Sequence, residues 1–485
     1  MKIPRCMSTQ HPDNVISPFF TNNAILGGED EIEEAFYVFS HLGCDEQMWD
    51  YEGKEVDNFV VKKLLTKYES FFKEKPLGKE VFITLRVPNP AIEKEEAKIL
   101  LETLESIPRS YDVAKLFYGD DIAPIFEVIL PMTTSADELN SIYYYYSDFV
   151  TGKQKRIIEK TKITIGDWIG EFKPEKINVI PLFENKESML NAHEVVRSYL
   201  EDKDIPYQRV FLARSDPAMN YGIVSAVIFN KIALSKLHKL SIEIGKEIYP
   251  IIGVGSAPFR GNLRPQTVER VLEEYPSVYT FTIQSSFKYD NTPEEARKGI
   301  KRIKKTVPRP PQEIDENKAL EIAERYSREY QSWIVKLAPL INKVAKYVPQ
   351  RRKRKLHIGL FGYSRKLGDV SLPRAIAFTA ALYSVGLPPE VFALNSLTKE
   401  DLNFLKDVYI GFKCDIKDAL KFSNVNGKLF PKELKEAIEK LEIEFEEDEE
   451  HKELTEFIVK RLEEGKTEDL EKYILRAAHI RKFLG

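Results

Sequence analysis

The sequence predicts a (β/α)8 barrel with additional helices. The chain has 485 residues, enough for one large α/β barrel with additions. Eight short apolar runs each finish in polar or charged residues. Stretches of helical period separate most of them, and strand–helix alternation marks a parallel sheet covered by helices. A doubly wound open sheet has the same alternation, and only strand count separates the two.

In order, the runs are 47–52 (QMWDYE), 81–87 (VFITLRV), 124–132 (PIFEVILPM) and 176–184 (KINVIPLFE). Then come 208–216 (QRVFLARSD), 249–255 (YPIIGVG), 278–284 (VYTFTIQ) and 356–365 (LHIGLFGYSR). Most are continuously apolar rather than alternating, as strands buried on both faces should be. Helical period runs through 56–72, 93–107, 187–200 and 223–244. Residues 311–348 read as a long helical insertion before the eighth strand. Ahead of the barrel, 29–42 reads as a helix behind an extended leader. The tail from 398 is rich in Lys and Glu and helical, a packing or oligomer-contact element. The expected organisation is a leader and helix over 1–43 contributing to the site, a barrel over 44–397, and a helical extension over 398–485 packed on it.

Composition excludes several classes. A formal net charge of −4 argues against a dedicated nucleic-acid binder. No run approaches the roughly 20 apolar residues that cross a bilayer, so no membrane partner is expected. The opening MKIPRC lacks the apolar stretch of a secretory signal. Cys6, Cys44 and Cys414 are far apart and form no CxxC pair. That argues against a disulfide framework or structural zinc, and for a cytoplasmic protein.

Catalytic groups of such a barrel sit where strands end, at the C-terminal face. The expected strand ends carry Asp50 and Glu52, Arg86, Glu184, Arg214 and Asp216, then Arg260, Gln284 with Lys288, and Arg365 with Arg374. With period two, Arg214 and Asp216 should share a face. The set is a few carboxylates inside a ring of guanidinium groups. Arginine forks match phosphate and carboxylate oxygens, so the ring points to a small, strongly anionic ligand. Carboxylates beside so much positive charge stay ionised and suit a hard ion such as Mg²⁺ or Mn²⁺. For any one residue, an Asp–Arg pair that merely holds a loop is the competing reading.

The loop GVGSAPFRGN, 253–262, brings Arg260 where glycines let backbone approach a ligand. In the leader MSTQHPDN, 7–14, His11 precedes a proline that keeps its backbone extended. A histidine there suits proton transfer near neutral pH. The other reading of the leader is a cap and turn at a surface terminus. The basic run RRKRK, 351–355, falls before the expected eighth strand, hence on the bottom face, as solvated surface or a subunit contact. The other histidines have no HxH or HExxH spacing and are not assigned to metal.

These segments resemble phosphoenolpyruvate carboxylase, specifically its short archaeal type. The leader MSTQHPDN looks like that branch's N-terminal signature, and His11 matches the histidine of TAHPT in the long bacterial and plant enzymes. VIPLFEN, 179–185, is similar to their VAPLFET; ARSDPAMNYG, 213–222, to their GYSDSAKDAG; and GVGSAPFRGN to their Gly-rich loop. The archaeal-type likeness covers essentially the whole chain, including LPRAIAFTAALYSVGLPP, 372–389. The likeness to the long enzymes is local to these motifs.

The resemblance implies conversion of phosphoenolpyruvate and bicarbonate to oxaloacetate and phosphate, through carboxyphosphate and a metal-stabilised enolate, replenishing C4 acids. It implies Glu184 and Asp216 as ligands of Mg²⁺, with Mn²⁺ possible, and His11 and Arg260 as catalytic residues. Arg86, Arg365 and Arg374 are expected on the substrate's phosphate or carboxylate, with Arg214, Gln284 and Lys288 also at hand. The leader is expected to act as a lid, and the chain to form a homo-oligomer, a tetramer. Where the long enzymes have lysine, an earlier loop arginine and TQNR, this chain has Met219, Val254 and Ile283-Gln-Ser-Ser286. Their aspartate-type inhibition and N-terminal phosphorylation are therefore not carried over. Two rivals remain from the residues alone. One is a Mg²⁺-dependent carbon–carbon lyase of the citrate-lyase-like class, which needs neither bicarbonate nor His11. The other is a non-catalytic binding protein using 351–355 and the C-terminal helices.

Overall fold

The computed structural model describes residues 2–52, 56–94, 97–353, 365–367 and 370–485, with side chains left aside at 365–367. Eight parallel strands form a closed barrel. They are β1 Cys6–Ser8, β2 Glu46–Asp50, β3 Phe82–Arg86, β4 Glu127–Leu130, β5 Asn178–Phe183, β6 Tyr207–Ala213, β7 Glu247–Gly253 and β8 Thr280–Ile283. Each pairs with the next, and β1 pairs with both β2 and β8.

Seven strands fall on expected runs, each one place later in barrel order, because Cys6–Ser8 comes first. The barrel begins inside the leader, so neither a separate 1–43 unit nor a barrel confined to 44–397 describes it. The run 356–365 is not needed for closure, because eight strands already complete the ring by Ile283. Most of that run lies outside the described residues. Its last residue, Arg365, opens a small antiparallel hairpin, Arg365–Leu367 with Val370–Leu372.

Inward positions alternate along each strand, as the pleat requires. Met7, Met48, Ile129, Ile180, Leu182, Phe211, Ala213 and Ile251 fill the barrel interior as a cluster apart from the main core. Near the N-terminal face the same inward series carries charge. Arg209 donates to Glu46 at 2.7 Å and Glu127 at 2.9 Å, all buried. Thr84 donates to Glu46, and Tyr207 to Glu127 at 3.0 Å. A buried guanidinium is tolerable only with such charge pairing, here through both Nη atoms.

The helices cover the outside. Ile223–Ile244 forms over its expected span; it is buried on all sides from Ile223 to Leu234, Ser225, Asn230 and Lys231 included, and beyond that only at Leu237 and Leu240. The insertion forms Glu316–Ala345, tied to it by Ser225 Oγ donating to the Ala323 carbonyl at 2.8 Å. The expected 56–72 helix breaks at Tyr68 into Val60–Lys67 and Glu69–Glu74. The expected 93–107 helix starts later and runs longer, as Ala97–Tyr118. Among the described residues no single helix is long and apolar enough to cross a membrane. The tail forms five helices, Lys399–Val408, Phe412–Leu420, Lys432–Lys440, Glu449–Glu463 and Leu470–Arg481.

Removing one partner from the barrel-floor network should be severe. Arg209→Leu leaves two carboxylates buried together and is expected to cost about 3–5 kcal/mol in urea unfolding. A loss under about 1 kcal/mol would contradict the role assigned to the network.

Candidate active site

The inward series continues to the C-terminal mouth. Met48 leads to Asp50, Thr84 to Arg86, Leu182 to Glu184 and Thr282 to Gln284, so period two turns all four inward. Arg86 grips Asp50 with both arms of its fork, at 2.8 and 2.6 Å, and reaches Glu52 at 3.0 Å. Burial alone would lower the Arg86 pKa, but Asp50 and Glu52 more than offset it and hold it well above the ordinary value. Gln10 accepts from the Asp50 amide at 3.1 Å, joining the leader to this pair. Glu184 accepts from the Met132 amide at 2.9 Å.

Arg260 is the hub of the opposite side. It lies in a 3₁₀ turn, Pro258–Arg260, after β7, and Gly261 follows with φ 113°. A β-carbon at Gly255 would sit 3.0 Å from both the Arg260 guanidinium and Gln284, so the loop closes on that side chain only with glycine there. Arg260 Nε donates to Ser215 Oγ at 3.1 Å and Nη2 to Gln284 Oε1 at 2.6 Å. Nη1 donates to Asp13 at 3.3 Å and to the Gly485 carbonyl at 2.8 Å. Four of five N–H groups are thus engaged; one on Nη2 has no hydrogen-bond partner among the described residues. Burial lowers the Arg260 pKa, against the opposing pull of Asp13 and Asp216.

His11 follows β1 and is half-buried. Its Nδ1 bonds Thr9 Oγ1 at 2.8 Å, and its carbonyl accepts from the amides of Asp13 at 3.0 Å and Ser285 at 3.4 Å. The leader is not a lid. It is a barrel strand, and the stretch beyond His11 is stapled down. Asp290 accepts from the amides of Val15 and Ile16 at 2.9 and 2.7 Å, and Arg351 donates to the carbonyls of Asn14 and Val15.

Several expected site residues do other work. Arg214 is buried with its guanidinium on the Phe259 carbonyl at 3.2 Å and beside Tyr275, Tyr409 and Asp415. The inward series in β6 is 209, 211, 213, so the next inward position is Ser215, and Arg214 faces the helices. Asp216 escapes that parity because Ser215–Tyr221 is already helix. Lys288 is fully buried and donates to Glu34, Ser8 Oγ and the Thr9 carbonyl at 2.8–3.0 Å, so it anchors the leader. Arg351 and Arg352 are buried rather than solvated, and Arg352 bonds Glu31 and Glu34. Arg365 belongs to the hairpin, and its side chain lies outside the described residues. Arg374 opens helix Ala375–Ser384, which packs against the helix carrying Asp216. Asp13, Ser215 and Gln10 were not expected. The one available cue was an acid two residues beyond His11.

Glu184 and Asp216 follow neighbouring strands, since β5 and β6 pair Phe183 with Leu212. Among the described residues no three of His, Cys, Asp and Glu gather into a metal cage. Two carboxylates at a strand-end mouth suit Mg²⁺, which keeps several waters and takes one or two protein oxygens.

The leader's staple carries a pH signature. Burial pushes Asp290 up to about 8, despite its two amide donors. Its folded pKa lies above the unfolded value near 3.9, so the folded state holds an extra proton between them. Stability therefore falls as pH rises from about 4 through about 8. Asp290→Asn removes that loss, so its stability relative to wild type should climb by up to about 1.4 kcal/mol per pH unit in urea titrations. A pH-independent difference would contradict the assignment.

The family model described as phosphoenolpyruvate carboxylase matches residues 3–485. The phosphoenolpyruvate carboxylase of Methanothermobacter thermautotrophicus is 59% identical over 485 residues, covering 100% of both chains. That of Pyrococcus furiosus is 55% identical over 446 residues, 91% of this chain and 93% of the relative. That of Halobacterium salinarum is 46% identical over 492 residues, 100% of this chain and 99% of the relative. Among solved structures, an HpcH/HpaI aldolase from Desulfitobacterium hafniense DCB-2 is 12% identical with a TM-score of 0.32, covering 63% of this chain and 94% of that one. With full-length relatives at this identity, the chain belongs to the phosphoenolpyruvate carboxylase family and is an enzyme of the carboxy-lyase class.

Proposed function

We propose that this chain joins phosphoenolpyruvate and bicarbonate at the barrel mouth to give oxaloacetate and phosphate. What carries the reading is the convergence on one mouth of Arg86 with Asp50, of Glu184, and of Arg260 hydrogen-bonded across to Gln284 and Asp13. Phosphoenolpyruvate carries a phosphate of about −1.5 to −2 and a carboxylate, so its site must be rich in cations. Arg86, Arg374 and Arg365 are the groups proposed to hold those oxygens. Glu184 and Asp216 would hold Mg²⁺, which supplies Lewis-acid stabilisation to developing negative charge when bound.

A bicarbonate oxygen attacks phosphorus, the phosphorus–enol oxygen bond breaks, and carboxyphosphate and the enolate of pyruvate result. The spare Nη2 N–H of Arg260 holds the carboxyphosphate. His11, oriented by its Nδ1 bond to Thr9, takes the carboxyphosphate proton before carbon dioxide leaves and returns it to the phosphate released. The enolate carbon then bonds carbon dioxide. Water must be kept out at that moment, since protonation there yields pyruvate instead. Ser215, Ser256, Gln284, Ser285 and Asp13 around Arg260 are all buried, which supports that exclusion.

Two substitutions test the roles. Asp216→Asn should raise the Mg²⁺ needed for half-maximal activity at least about tenfold; an unchanged titration would remove Asp216 from the metal. His11→Asn should slow oxaloacetate formation by about 100-fold while phosphate release falls less. Equal losses in both products would return His11 to a structural part.

A further inference from the structure

We propose that Asp13 is a positioning residue of this reaction, a buried carboxylate that sets Arg260 and the His11 turn as one unit. Asp13 is fully buried. Its Oδ1 accepts from the Ser286 amide at 2.7 Å. Its Oδ2 accepts from the Ser256 amide at 3.5 Å and from Arg260 Nη1 at 3.3 Å. Those contacts join the leader to the loop after β7 and the helix Ser285–Tyr289 after β8. Its backbone does the same, donating to the His11 carbonyl at 3.0 Å and accepting from Leu484 at 2.8 Å. One residue therefore fixes the distance between the two groups proposed to handle carboxyphosphate, and it is the one side-chain carboxylate hydrogen-bonded to Arg260 among the described residues.

The consequence is specific. The inference rests on the proposed carboxylation, and it assigns Asp13 to the capture of carbon dioxide rather than to the binding of phosphoenolpyruvate, which involves Arg86 across the mouth. Asparagine keeps an oxygen for the Ser286 amide but takes away the charge that Nη1 of Arg260 faces in the leader, so the guanidinium should shift toward its remaining acceptors and Asp216. Carbon dioxide then escapes more often, and the enolate takes a proton from water. Phosphoenolpyruvate and water then give pyruvate and phosphate, so phosphate is released without oxaloacetate.

The test measures oxaloacetate and phosphate in the same reaction with the full-length enzyme, Mg²⁺, phosphoenolpyruvate and bicarbonate. Asp13→Asn should lower oxaloacetate per phosphate at least about threefold, raise the bicarbonate KM, and leave the phosphoenolpyruvate KM within about twofold. A wild-type product ratio, or a fall of both products together, overturns the proposal. If Asp13→Asn does not fold, Asp13→Glu, which keeps the charge but displaces Arg260, must show the lowered ratio; a wild-type ratio there, or failure of both variants to fold, overturns it. A wild-type enzyme that forms no oxaloacetate would instead sink the proposed function, which separates the two failures.

Discussion

Two ladders of backbone hydrogen bonds, from Cys6–Ser8 to Glu46–Asp50 and to Thr280–Ile283, close the barrel. Without them β2 and β8 would present open parallel edges, each a row of unpaired amide and carbonyl groups. A three-residue strand is a weak closure by itself, and its flanks reinforce it. Arg5 accepts from the Phe281 amide at 3.0 Å, Thr9 donates to the Ile283 carbonyl at 3.0 Å, and Lys288 grips Ser8 and Thr9 from outside. His11 lies three residues past that strand, so it can stray no more than about 10 Å from it. Closing the barrel and placing His11 at its mouth are thus one event.

Buried arginines serve two ends here, and their partners distinguish them. Arg209 and Arg352 each face two carboxylates, and both have pKa values raised above the ordinary guanidinium range despite burial. Their charge is matched within the fold, as is that of Arg86 beside Asp50 and Glu52, which would have to yield one of those carboxylates to take a substrate oxygen. Arg260 hydrogen-bonds Asp13, two neutral side-chain oxygens and an oxygen of Gly485, with Asp216 nearby, yet burial outweighs these neighbours and its pKa is lowered. A buried cation that is under-neutralised gains most from an arriving anion. That asymmetry supports the proposed anion-holding role of Arg260 more directly than its position in a Gly-rich loop does.

Seven strands were legible because parallel strands buried on both faces leave continuous apolar runs. Cys6–Ser8 was not, since three residues between Pro4 and Gln10 make no pattern, and the apolar run at 356–365 took its place in the count. Strand-end position alone brought Asp50, Arg86, Glu184 and Gln284 into the set, while period two served to place Arg214 with Asp216. It failed at Arg214, where counting back from Asp216 ignored that helix begins at Ser215 and resets the facing of Asp216. Lys288 looked like a free cation because Glu34, its partner, is 254 residues away. Contacts of that separation leave no local trace in a sequence, and the same is true of Asp13 with Arg260.

The surroundings of Arg260 extend this point from reading the chain to folding it. Its hydrogen bonds reach 247 residues back to Asp13 and 225 residues forward to Gly485, while Gln284 is only 24 away. Gly485 in turn packs so tightly on helix Ala375–Ser384 that a β-carbon there would lie 2.1 Å from the Ile376 carbonyl. The guanidinium therefore acquires its full set of acceptors only after β1 has closed the barrel and the last helices have packed over the mouth. Long-range contacts of this kind carry the greatest loop-closure cost and form late. A partly assembled chain would hold a loose Arg260 in a wet mouth, where the enolate of the proposed reaction would meet water before carbon dioxide. Coupling Arg260 to contacts more than 200 residues away on both sides would restrict the proposed chemistry to the fully closed protein.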